Sequence, residues 1–193
     1  MNRLIKFIEK NILGKKVLGL FILTNLVYTF MLTVTIPKTM EFSNGMKLLD
    51  MMPLGYDLVY INTLFETLGE NGRQVYLTNQ LPVDMIYPFL FGISYCLLIG
   101  FFLKKLNKLD SFFFYLCFLP LIEGIADYLE NFGIFTMLYN FPEFSQFTAK
   151  VTNVFSVVKS IATTVFFIAL IITLLMLVIS KIKERRKTSA NNV

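Results

Sequence analysis

Residues 111–140 read SFFFYLCFLPLIEGIADYLENFGIFTMLYN, an apolar run that carries Glu123, Asp127 and Glu130, with Asn131 directly after them. The run is long enough to cross a hydrocarbon core of about 30 Å as a helix. An ionisable side chain at membrane depth costs about 2.5–3.5 kcal/mol on insertion scales. Intervals of four and three residues put the three acids on one helical face. Like charges so placed repel, and they require a cationic partner or protons held between them. That face is where function is expected.

The chain around it is a membrane sequence. Its 193 residues are 55% hydrophobic and only 16% charged, with a mean hydropathy of +0.64, against about 25% charged residues in soluble domains. The apolar residues gather into four spans, about Val17–Pro37, Val83–Leu103, Ser111–Asn140 and Thr152–Ser180. The fold expected is all-α: a single membrane domain, a four-helix transmembrane bundle with a short helical outer segment over 38–82 and a basic tail over 181–193. The first span follows basic residues, as a signal peptide would. Its apolar part is longer than the usual h-region and no A-x-A-like site follows, so it reads as a retained helix.

The net charge of +5 is explained by location and carries no nucleic-acid signal. Arg3, Lys6, Lys10, Lys15 and Lys16 precede the first span, Lys104, Lys105 and Lys108 follow the second, and Lys181, Lys183, Arg185, Arg186 and Lys187 follow the fourth. Four spans put these three segments on one side. The positive-inside rule makes it the cytoplasm of a cell (inner) membrane protein, with both termini inside. Residues 38–82 and 141–151 then face out.

The absence of histidine removes His-based acid/base chemistry, Ser-His-Asp triads and His-ligated zinc or haem. Cys96 and Cys117 form no C-x-x-C pair and read as small buried hydrophobes. No Gly-rich phosphate loop is present. Chemistry therefore rests on carboxylates, Lys, Arg, Tyr, Ser or Thr, or a bound metal, and the sequence names no cofactor.

In the outer segment, Asn44-Gly45 predicts a turn. Asp57 predicts the cap of a helix over Leu58–Leu68, ended by Gly69. A second short helix is expected from Asn71 to Gln80, with Pro82 in the first turn of the second span. Arg73 and Tyr76 share a face of that second helix. They either reach the acids, or hold a ligand at their mouth, or anchor the helix at headgroup level.

The other spans carry polar groups at matching depth: Asp84 on the second, Ser156, Lys159 and Thr163 on the fourth, Asn25, Thr29 and Thr33 on the first. If these faces converge, they form an outward-opening pocket lined by Asp84, Glu123, Asp127, Glu130, Asn131 and Lys159, with Arg73 and Tyr76 as its roof. Lys159 is expected to pair with Glu123 or Asp127. Each piece has a plainer structural reading. Asp84 would sit in a first helical turn for the macrodipole, Lys159 would snorkel to the headgroups, and Asn25, Thr29 and Thr33 would bond between helices. Pro88 with Gly92, and Pro120, predict kinks in the second and third spans.

The combination Gly72-Arg73-x-x-Tyr76, Asp84-x-x-Tyr87-Pro88 and Asp127-x-x-Glu130-Asn131 resembles a family of small four-helix bacterial membrane proteins without assigned activity. The resemblance covers roughly 53–142; it implies the architecture above and supplies no chemistry. There is a fainter likeness to the sterol-isomerase and sigma-2-receptor (EXPERA) group, which implies a structured outer segment and buried acids that bind cationic amphiphiles. This chain has no histidine, so isomerase chemistry does not carry over.

Three functions stay open at this point. The leading one is a non-enzymatic or accessory membrane protein whose acidic pocket binds a cation, a proton or an amphiphile. The second is a lipid-acting enzyme using a carboxylate as acid or base. The third is an assembly subunit whose acids pair with a partner's basic residues. The partners expected are membrane lipids, with a homo-oligomer or a membrane partner protein open.

Overall fold

The computed structural model describes residues 2–190. Residues 191–193 of the expected basic tail lie outside the described residues, as do the side chains of Arg186 and Lys187. No strand occurs among the described residues, and four helical stretches are long and apolar enough to cross a membrane: Gly14–Met40, Leu58–Lys105, Phe112–Tyr139 and Gln146–Arg185. The chain is a multi-pass all-α bundle. Both termini lie at one end, called terminal below, and the 41–57 and 140–145 connections lie at the other, called distal.

Helix α1 (Asn2–Asn11) is an amphipathic helix that the reading of basic residues alone did not anticipate. Ile5, Ile8 and Ile12 recur at intervals of three and four and are buried, while Arg3, Lys6 and Lys10 are exposed. Glu9 on its flank pairs with Lys104 at 3.0 Å. The first span is α2 (Gly14–Phe30), a π-helical turn (Met31–Thr35) and α3 (Ile36–Met40).

The distal segment follows its local signals. Asn44 and Gly45 both take positive φ in a turn. Helix α4 (Leu58–Val75) starts at Asp57, whose carboxylate accepts from the Tyr60 amide at 2.7 Å. At Gly69 the backbone leaves helical geometry with φ 61°, a conformation open to glycine without steric cost. Beyond it the helix resumes through a second π-helical turn (Tyr76–Gln80) and α5 (Leu81–Asp84). The short helix therefore does not stop at Gln80, and Asp84 ends a helix instead of opening one.

The second span proper is α6 (Tyr87–Lys105), after a two-residue break at Met85 and Ile86. Pro88 falls in its first turn, where a missing N–H costs nothing, so it opens the helix and does not kink it. Pro120 does the same for α7 (Leu119–Tyr139); the residues before it, Phe112–Phe118, wind as a 3₁₀ helix. Helix α8 (Gln146–Ala190) completes the bundle.

Helix α7 packs between α6 and α8, and α2 packs on α6, while α2 and α8 barely touch. Gly124 sets the α6–α7 approach: a Cβ there would stand 2.7 Å from the Pro88 carbonyl oxygen. One core fills the terminal half with Ile5, Ile8, Ile12, Phe91, Tyr95, Leu103 and Phe166. A second core clamps the distal segment onto the span ends through Leu48, Leu49, Leu64, Phe65, Tyr76 and Ile134. On the outer surface of α8, Ile161, Ile168, Ile171 and Leu175 are more than half exposed, as a lipid-facing helix requires.

Candidate functional site

A cavity of about 440 Å³ lies in the distal half between the first span and α8. Its walls come from every span. Tyr28, Met31, Leu32 and Ile36 line the first-span side, and Lys159, Ser160, Thr163 and Thr164 line the α8 side. Asp84, Tyr87, Glu123 and Asp127 form the back, and Asp50, Met51 and Pro53 form the roof. Tyr28 and Leu32 also stand on the outer surface, 42% and 46% exposed, so the mouth opens sideways through the face that meets lipid. The floor is aromatic: Tyr87 stacks on Tyr28 at 5.3 Å and lies 5.7 Å from Phe91, which continues to Tyr95.

The acids of α7 are treated unequally. The Lys159 ammonium lies 3.2 Å from Asp127 Oδ1 and pairs with Glu130 Oε2 on its other side. Its side chain is 14% exposed, so it does not snorkel to the headgroups; Asp127 and Glu130 hold it at depth. Of the two partners expected for Lys159, Glu123 or Asp127, the pair is with Asp127, and Glu130 is a second partner. Glu123 is 3% exposed, and its Oε2 has no hydrogen-bond partner among the described residues. Asn131 donates to the Asp84 carbonyl oxygen at 3.2 Å and to Asp127 Oδ1 at 3.4 Å. It ties α7 to the end of α5 and holds Asp84 over the cavity. The Asp84 side chain is buried and forms no hydrogen bond or ion pair among the described residues, which is the opposite of a helix-start carboxylate in contact with its own N–H groups.

Of the residues expected at the site, Asp84, Glu123, Asp127 and Lys159 line the cavity, and Glu130 and Asn131 brace it from behind. Arg73 does not take part. Its Nη1 donates to the Phe65 carbonyl oxygen at 2.7 Å, and its guanidinium lies 4.6 Å from the centre of the Phe141 ring. Arg73 thus reaches back across the irregular backbone at Gly69 to a carbonyl of its own helix. Nor do the polar residues of the first span converge on the cavity. Thr29 and Thr33 are exposed and bond to carbonyls four residues back, and Asn25 does likewise while facing the Tyr95 hydroxyl at 3.4 Å. A hydroxyl satisfied by its own helix can face lipid. The π-helical turn shifts the helix phase, so that Thr35 points inward.

Thr35 leads to the residue that sequence reasoning missed. Asp50 stands in the roof, with Oδ1 accepting from the Tyr76 hydroxyl at 2.7 Å and Oδ2 from the Gln80 amide at 3.0 Å. Gln80 in turn accepts from the Thr35 hydroxyl at 2.5 Å. Tyr76 thus serves the site through Asp50, without lining the cavity. The signal for Asp50 was present: it is the one charged residue in Leu48–Leu54, flanked by Leu49 and Met51.

Further support comes from Ser156, which donates to the Met52 carbonyl oxygen at 3.3 Å, and Asn153, which accepts from the Tyr56 amide at 2.7 Å. Burial above all, and then the charge of Glu130, holds the Tyr56 phenol well above its ordinary range, so the hydroxyl stays protonated. Among the described residues no group of acids or cysteines converges as a metal-ligand set; the carboxylates are spread around the cavity. No family model, no curated protein and no solved structure matches the chain, so the meaning of the site rests on its own geometry.

Proposed function

We propose that this chain is a non-enzymatic membrane protein that binds the cationic head of an amphiphile in the acidic cavity, with the apolar chain lying in the gap between α2 and α8. The observation that carries the reading is Glu123: a carboxylate buried in the cavity wall, with one oxygen unpartnered, while the nearby lysine is already engaged by two other acids. An uncompensated carboxylate in a low-dielectric wall is costly alone and is stabilised by an incoming cation. The lining supports the rest. Met31, Leu32, Ile36, Met51 and Pro53 offer an apolar surface opposite the acids, and the mouth lies on the lipid-facing side. The volume falls within the range of about 300–1,000 Å³ typical of small-molecule sites.

The positive-inside rule supports an orientation with both termini cytoplasmic and the cavity in the outer half of a cell membrane. Single cysteines placed at Asn44 and Lys108, with Cys96 and Cys117 replaced by alanine, should label from opposite sides with an impermeant reagent. Labelling from one side overturns the topology.

The binding test uses protein in zwitterionic nanodiscs titrated with decylamine. Replacing Glu123, Asp127 and Glu130 by Gln, Asn and Gln should weaken binding by about tenfold or more. A triple variant that binds like the parent and differs only in thermal stability rules the reading out.

A further inference from the structure

Five carboxylates surround the cavity, and the single lysine among them is shared by Asp127 and Glu130. The other three, Asp50, Asp84 and Glu123, form no ion pair among the described residues, and all three line the same space. They divide by position. Glu123 is one helical turn, about 6 Å, nearer the floor than Asp127, and its orphan oxygen is buried in the wall. Asp50 stands in the roof and Asp84 at the top of the back wall, near enough to interact electrostatically. Asp50 is also oriented in advance. Tyr76 and Gln80 are neutral donors, so they fix its carboxylate without cancelling its charge. The cavity therefore has one carboxyl group toward the floor and two toward the roof, with an apolar wall on the first-span side.

One ammonium placed at Glu123 leaves the two carboxyl groups toward the roof uncompensated in a water-poor site, which is expensive. A small inorganic dication needs its ligands to converge on one point, and these do not. We propose that the occupant is a lipid-borne diamine: a head with two ammonium centres, one against Glu123 and one between Asp50 and Asp84, on an apolar tail that leaves between α2 and α8. This rests on the cavity reading above and specifies its ligand.

The test compares decylamine with N-decyl trimethylenediamine, which have the same tail and one or two charges, by titration of the protein in zwitterionic nanodiscs. The parent should bind the diamine about tenfold tighter or more, as a second charge-assisted contact provides. Asp50→Asn should bring the ratio of the two affinities close to one, and Glu123→Gln should weaken both ligands. Tyr76→Phe, which keeps the carboxylate and loosens it, should lower the ratio part way and serves if Asp50→Asn does not fold. A parent that binds decylamine and shows no preference for the diamine overturns the two-charge inference and leaves the cavity reading standing. Binding of neither ligand overturns both. Displacement of the diamine by an equal concentration of magnesium ion overturns it in favour of an inorganic occupant.

Discussion

The two halves of this bundle treat the space beside α8 in opposite ways. In the terminal half Phe91, Tyr95, Phe166 and Phe167 interlock, with ring centroids 4.5 Å apart for Phe91 and Tyr95 and 6.3 Å for Phe91 and Phe167. In the distal half about 440 Å³ stays open, behind a ring of carboxylates. In the terminal half the space beside α8 is filled by side chains of α6. Interiors otherwise pack to crystal-like density, so an open cavity beside charged groups sets the distal half apart from the terminal one.

The sharpest way to break the comparison is to remove Lys159, the one cation among the residues lining the cavity. Lys159→Met leaves Asp127 and Glu130 buried and unpaired, and should destabilise the protein by about 3–5 kcal/mol; denaturant titration in mixed micelles reads the loss. Adding Asp127→Asn and Glu130→Gln to that variant should recover most of it, since the orphaned charges go too. If Lys159→Met melts like the parent, the distal half is not organised around its ion pairs. Next in size, Phe91→Ala opens a hole in the aromatic floor and should cost about 3 kcal/mol. Decylamine binding, once corrected for the unfolded fraction, should survive. Loss of binding in a folded Phe91→Ala protein would mean that the two halves are not separable.

Gly124→Ala tests the seam between them. Its Cβ would meet the Pro88 carbonyl oxygen, so α6 and α7 must part, at a cost of about 2 kcal/mol. A variant as stable as the parent would show that the close approach is not required. The smallest effect is expected at Asp57→Ala, which removes the cap of α4 and should cost about 1 kcal/mol, with no change in ligand affinity, because the cap lies outside the cavity.

Much of this was legible in the sequence because membrane burial makes local signals costly to violate. The spans, the Asp57 cap, the Gly69 break and the placement of Glu123, Asp127 and Lys159 on one cavity follow from hydropathy, turn chemistry and helical periodicity. What was hidden depends on phase and on long-range partners. The π-helical turn at Met31–Thr35 turns Thr35 inward and leaves Thr29 and Thr33 facing lipid, and no period of 3.6 anticipates an inserted residue. Arg73 turns away from the acids because it bonds the Phe65 carbonyl and covers the Phe141 ring, partners set by the tertiary fold. Asp50 was passed over because its segment was read as an outer connection, whereas it folds back as the roof of the cavity.

The two π-helical turns bear on how this sequence can change over time. Each is an α-helix with one residue inserted, and they meet where Thr35 from the first bonds Gln80 from the second. Deleting one residue from either turn restores a regular helix but rotates one side against the other by about 100°, which parts that pair and frees Asp50 from Gln80. Insertions at the two places are thus interdependent. Homologous chains that conserve an acid at position 50 are expected to keep both, and chains that have lost one are expected to have lost the other along with the acid.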